Sequence, residues 1–154
     1  MDDPNPRRTR LIDLLCLALL GGSALWLLLR WNTIPARVPG HYGIGGLPDR
    51  WTGKASLWSL PAVGAVLYAL LHTAEHFPAL WNTGVPVTDQ NRRRVYGILY
   101  GLLSTQKLLL CAVFAYLTLR SARASTLPGW FLPVFLLLVF GSLTRDLVRL
   151  FRAR

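Results

Sequence analysis

Four long apolar blocks, separated by connections rich in arginine, proline and glycine, predict an all-α polytopic membrane protein. Of the 154 residues, 53% are hydrophobic and 16% charged, against about 45–50% and about 25% in a soluble domain. The 17 Lys and Arg residues, against 7 Asp and Glu, lie mostly between the apolar blocks. A net charge of +10 is also seen in nucleic-acid binders, but their arginines line one face of a water-exposed fold. Confinement of the arginines to the connections argues against that class, and no nucleic-acid partner is expected. A disordered tail and a disulfide scaffold are excluded by the same pattern.

A spanning helix needs about 20 mostly apolar residues to cross about 30 Å of hydrocarbon. Residues 11–30, interrupted only by Asp13, form the first such stretch; 57–77, 95–119 and 130–148 form the others. In lipid each backbone N–H and C=O must find a partner within its own segment, which makes these stretches helices. Together they leave room for a single domain, 1–154. The first stretch follows Arg7, Arg8 and Arg10 as a signal peptide would. Its apolar run is longer than a signal's, however, and Arg30, Trp31 and Asn32 occupy the place of a small-residue cleavage site. It is read as a retained helix with Trp31 as an interfacial anchor.

Orientation follows from the Lys and Arg counts in short loops and helix flanks. Arg7, Arg8, Arg10, Arg92, Arg93, Arg94, Arg145, Arg149, Arg152 and Arg154 fall on one side; Arg30, Arg37, Arg50, Lys54, Arg120 and Arg123 fall on the other. Ten against six places both termini in the cytoplasm and the 31–56 loop outside. That outer loop holds three prolines and five glycines between Ile34 and Lys54, residues that suit turns rather than a helix. It is expected to be an ordered cap, with Asp49 bonding its own backbone in a compact turn. His41, Tyr42, Asp49, Trp51 and Lys54 are its candidate ligand-binding residues, His41 and Asp49 meeting a ligand or metal in the sharper form of that reading.

Lys107 stands near the middle of the third span. A lysine there costs about 2.5–3.5 kcal/mol on insertion scales and normally faces a bundle interior or a wet cavity. Asp13 and Glu75 are its candidate partners. Both are placed about 10 Å or more away in depth, at about 1.5 Å per residue, so that a direct bond needs helix tilt or a water chain. His72, Glu75 and His76 spell H-x-x-E-H, a zinc string when its structural context is right. The third histidine, His41, is expected across the membrane, so a polar helix end stopped by Pro78 is the preferred account and no cofactor is expected. Cys16 and Cys111 are placed at different depths, too far apart for a disulfide. Asp146 is expected to make weak exposed contacts with Arg145 or Arg149. Thr88, Asp89, Gln90 and Asn91 offer N-cap candidates for the third helix, and Gly97, Gly101 and Ser104 form a small-residue strip for close packing within the bundle or in a homo-oligomer.

The outer-loop spacing carries a resemblance. Pro35, Val38, Pro39, His41, Tyr42, Gly46, Pro48, Asp49, Trp51 and Lys54 fall as in a bacterial membrane domain of unknown function found at the N-terminus of SdpI-like immunity proteins. Asn82, Pro86, Thr88, Asn91 and Tyr96 are similar to that family's cytoplasmic loop, and the likeness covers about 31–119. Gly43 and Gly53 stand where relatives commonly carry polar residues. The resemblance implies a bacterial plasma-membrane location and a non-enzymatic role in sensing, signalling or toxin immunity through the outer loop. Membrane lipids, a peptide toxin or a membrane or regulatory protein would be the partners. Two alternatives remain beside it: a small transporter or channel subunit centred on Lys107, and a membrane metallopeptidase on His72, Glu75 and His76.

Overall fold

The computed structural model describes residues 5–153; the assignment of Arg154 to the cytoplasmic side therefore lies outside the described residues. Four helices are long and apolar enough to cross a membrane: α1 (Pro6–Arg30), α2 (Ser59–His76), α3 (Arg92–Ala122) and α4 (Phe131–Phe151). α1 begins before the apolar run because Asn5 caps it, its side chain accepting from the Arg8 N–H at 3.3 Å, and because proline is tolerated in a first turn. α3 starts at Arg92 after an interlock of two side chains: Asn91 Oδ1 accepts from the Thr88 N–H at 2.7 Å, and Thr88 Oγ1 accepts from the Asn91 N–H at 3.3 Å. Asn91 also donates to the carbonyls of Pro86 and Ala153, tying the start of α3 to the end of α4.

The all-α expectation needs one correction. Between α1 and α2 the chain forms an antiparallel hairpin, β1 (Arg37–Tyr42) and β2 (Pro48–Gly53). Pro39 and Gly40 are poor strand residues, yet the pairing register slips between Pro39 and His41, which leaves Gly40 unpaired at a bulge. A Cβ on Gly40 would run into the Thr52 side chain. Glycine therefore serves close strand approach here and not merely a turn.

α3 is the central helix, packed against α1, α2 and α4, while α4 touches the rest of the bundle mainly through α3. The burial pattern is inverted relative to a water-soluble protein. Leu14, Leu17, Leu28 and Leu29 of α1 and Leu137 and Phe140 of α4 are exposed, whereas Ser23, Ser104, Lys107, Thr118, Ser121 and Asp146 are buried. Apolar surface outside and polar groups inside suit a lipid solvent. Asp146 departs from its expected exposure: it is buried and accepts from both Arg145 and Arg149.

Small residues set the spacing of the first three helices. Gly101 of the anticipated strip faces Arg8 of α1, and Ser104 donates to Glu75 of α2, so the strip meets neighbours within the chain. Gly64 of α2 lies outside that strip; a Cβ there would lie 2.7 Å from Leu20 Cδ2 and 3.1 Å from Phe114 Cβ. Gly64→Leu is expected to cost about 1–3 kcal/mol by overpacking. Resistance to SDS unfolding would fall accordingly, while the exposed control Gly141→Leu would leave it unchanged.

Candidate functional site

The sequence-predicted residues divide between the hairpin and the interior of the helices. At the hairpin, His41 Nδ1 and Asp49 Oδ1 lie 2.7 Å apart across the two strands, both exposed. Asp49 thus pairs with His41 and not, as expected, with its own backbone; the turn is held instead by Gly43 N–H to Leu47 O at 2.9 Å. Tyr42 points into the bundle. Its hydroxyl lies 3.1 Å from Ser121 Oγ and donates to the Ser125 carbonyl at 3.0 Å. Burial raises the Tyr42 phenol above its ordinary value, with the Ser121 contact opposing. Lys54 donates to the Trp31 carbonyl at 3.0 Å and sits over the Trp31 ring at 4.9 Å. Tyr42 and Lys54 therefore anchor the hairpin to the helices, while Trp51 stays exposed at 46%.

A cavity of about 480 Å³ opens beneath the hairpin. Its rim carries His41, Arg50 and Thr52; its walls come from Leu60 of α2, Val113 and Leu117 of α3, and Phe131 and Phe135 of α4. Arg50, read in the sequence only as an orientation charge, makes no ion pair among the described residues and is exposed at this rim. Gly46 joins the hairpin to the α3–α4 connection: it has a φ of 79°, and its carbonyl accepts from the Leu127 N–H at 2.8 Å. A Cβ there would meet the Leu127 carbonyl.

Within the helices the depth estimate for Lys107 is overturned. Its ammonium is wholly buried and donates directly to Asp13 Oδ1 at 2.6 Å and to Glu75 Oε2. The long lysine stem carries its ammonium away from the level of its own backbone. Long helical side chains also lean toward their own N-terminus. Lys107 and Glu75 sit on antiparallel helices and so lean toward each other. The third ammonium direction meets the Tyr68 ring, 5.6 Å to its centroid. Ser104 donates to Glu75 Oε1 at 2.9 Å and Tyr68 donates to Asp13 Oδ1 at 3.4 Å.

Of the H-x-x-E-H string, His72 and Glu75 face this cluster and His76 does not. His76 turns away to donate to the His72 carbonyl at 2.8 Å. The residues gathered with ligand atoms within 4.8 Å of one another are Asp13, His72 and Glu75. A lysine ammonium bound to both carboxylates opposes a divalent cation there. Cys16 and Cys111, expected at different depths, pack in one buried cluster with Ile12 and Leu20, both as free thiols. The sequence pairs Asp13 and Glu75 with Lys107; the part of Tyr68 in the cluster follows only from the packing of α1 against α2.

Residues 18–65 match the model of DUF1648, a domain of unknown function. An uncharacterized protein of Archaeoglobus fulgidus is 39% identical over 70 residues, which cover 44% of this chain and 38% of that protein. The chain thus spans well under half of that relative. No solved structure matches. Gly46→Ala should release the hairpin from Leu127, and hydrogen exchange at the Leu127 amide should rise at least about tenfold, a loss of about 1.4 kcal/mol. The matched stretch runs from the second half of α1 through the whole hairpin to the start of α2, and four helices of the chain are long and apolar enough to cross a membrane.

Proposed function

We propose that the protein is a non-enzymatic binding protein of the plasma membrane, of SdpI-like type, which captures a membrane-active peptide at its hairpin face in an immunity or signalling role. The observation that carries this reading is the cavity of about 480 Å³ beneath the hairpin, apolar at its walls and polar at its rim. Pockets of about 300–1,000 Å³ with an apolar lining and a few placed polar groups are the usual form of a ligand site. An amphipathic peptide would set apolar side chains against Leu117 and Phe135 and a carboxylate against Arg50. Both termini are assigned to the cytoplasm and the hairpin to the outside by the ten-to-six distribution of basic residues. The hairpin's position at the end of α1 remote from Asn5 agrees with a binding face turned away from the termini.

A transport role centred on Lys107 is less well supported, because its ammonium is fully buried between two carboxylates and does not line the cavity beneath the hairpin. Leu117→Trp fills the cavity from its α3 wall. With the protein in nanodiscs and a panel of fluorescent membrane-active peptides as probes, at least one peptide is expected to bind. Its affinity should fall at least about tenfold, about 1.4 kcal/mol, in Leu117→Trp and in Arg50→Ala. The exposed control Leu137→Ala should bind as wild type. Equal binding by Leu117→Trp and wild type, or binding of no peptide, contradicts the reading.

A further inference from the structure

The buried cluster is electrically unbalanced. Asp13 and Glu75 bring two negative charges to the single positive charge of Lys107, and an uncompensated charge is costly in a low-dielectric interior. His72 also lies at the cluster, beside Tyr68. Its Nδ1 lies 3.4 Å from Asp13 Oδ1 and 3.8 Å from Glu75 Oε2. That nitrogen is buried and makes no hydrogen bond. A bare ring nitrogen would set its lone pair against two carboxylates, whereas a protonated one faces them as a donor.

We propose that Asp13, Glu75, Lys107 and His72 form a one-proton binding site, with His72 as the group that takes up the proton. With His72 as imidazolium, two positive charges meet two negative ones and the set is neutral. A divalent cation on Asp13, His72 and Glu75 would instead have to expel the Lys107 ammonium from both carboxylates.

The surroundings define how the proton arrives. His76, exposed one turn further along α2, has its ring 4.8 Å from that of His72. Because a carbonyl only accepts, the His76 Nδ1 bonded to the His72 carbonyl carries the hydrogen, which leaves Nε2 free to accept a proton from water. On the far side, Cys16, Cys111 and Leu20 close the interior with apolar packing. The site therefore loads and empties at the exposed edges of His72 and His76. Facing His72 are Asp13 from α1, Tyr68, Glu75 and His76 from α2, and Lys107 from α3. The charged residues of α4, Arg145, Asp146 and Arg149, pair among themselves. Tyr68 stacks on His72 at 5.4 Å and so links the proton's arrival to the Asp13 contact between α1 and α2.

The test uses the full chain in nanodiscs with ¹⁵N-labelled histidine, the three signals assigned by His41→Gln, His72→Gln and His76→Gln. On acidification from about pH 8 to about pH 5, His72 should convert to imidazolium. At the pH where it is half charged in wild type, Asp13→Asn and Glu75→Gln should each lower its charged fraction at least about fivefold, leaving His41 unaffected. Proton uptake by unbuffered samples over the same range should be lower by one equivalent per chain in His72→Gln, a measurement that needs neither carboxylate variant to fold. A His72 that stays neutral, a charged fraction indifferent to both carboxylates, or equal uptake by wild type and His72→Gln overturns the proposal. So does stoichiometric zinc binding that alone changes the His72 signal, which would make the cluster a metal site.

Discussion

Lys107 holds three helices at one point. Its ammonium on α3 reaches Asp13 on α1 and Glu75 on α2, and Ser104 and Tyr68 complete the hydrogen bonding of the two carboxylates. Apolar side chains alone specify little between helices in lipid, because the tails around them are equally apolar. A buried cation with two carboxylate partners is different. Any slip of α1 or α2 along α3 leaves a charge without its partner, so the contact sets register as well as proximity. Gly64 lets α2 come close to Leu20 of α1 and Phe114 of α3, which brings the three helices together.

The rest of the molecule follows from this junction. With α1 to α3 in register, the ends of α1 and α3 present Trp31, Ser121 and Ser125 at the level where Lys54 and Tyr42 can reach them. The hairpin is then seated by polar contacts at its two ends and by Gly46 against Leu127. α4, held chiefly by α3 and by the tie from Asn91 to Ala153, supplies the outer wall of the cavity. The rim between hairpin and helices is where polar and apolar surfaces meet, as an amphipathic ligand requires.

The four helices were legible because about 20 apolar residues in a row have few alternatives. The hairpin was not, since Pro39, Gly40, Gly43 and Pro48 read locally as turns. Its strands depend on a bulge at Gly40 and on docking through Tyr42, neither of which is a local property of the sequence. His41 and Asp49 were correctly gathered into one loop, but their mutual pairing depends on cross-strand register. Lys107 was recognised as costly in lipid, with Asp13 and Glu75 as its candidate partners, yet a rise of about 1.5 Å per residue kept them apart on paper. The long lysine stem, and for Glu75 the side-chain lean between antiparallel α2 and α3, closed that gap. Arg50 shows the opposite limit: its role at the cavity rim is visible only once β2 is placed over α3 and α4.

The junction is tested most directly by exchanging its charges singly and together. Unfolding of the reconstituted protein would be measured for Lys107→Met and for the triple variant Asp13→Leu, Glu75→Met, Lys107→Met. Removing the lysine alone leaves the buried Glu75 and the part-buried Asp13 without their ammonium partner and should cost about 3–5 kcal/mol, whereas apolar replacement of the whole set should recover most of that loss. The triple variant should also show looser register between α1 and α3, read as a broader distance distribution between spin labels on those helices. A Lys107→Met protein as stable as wild type, with an unchanged distribution, would contradict the account.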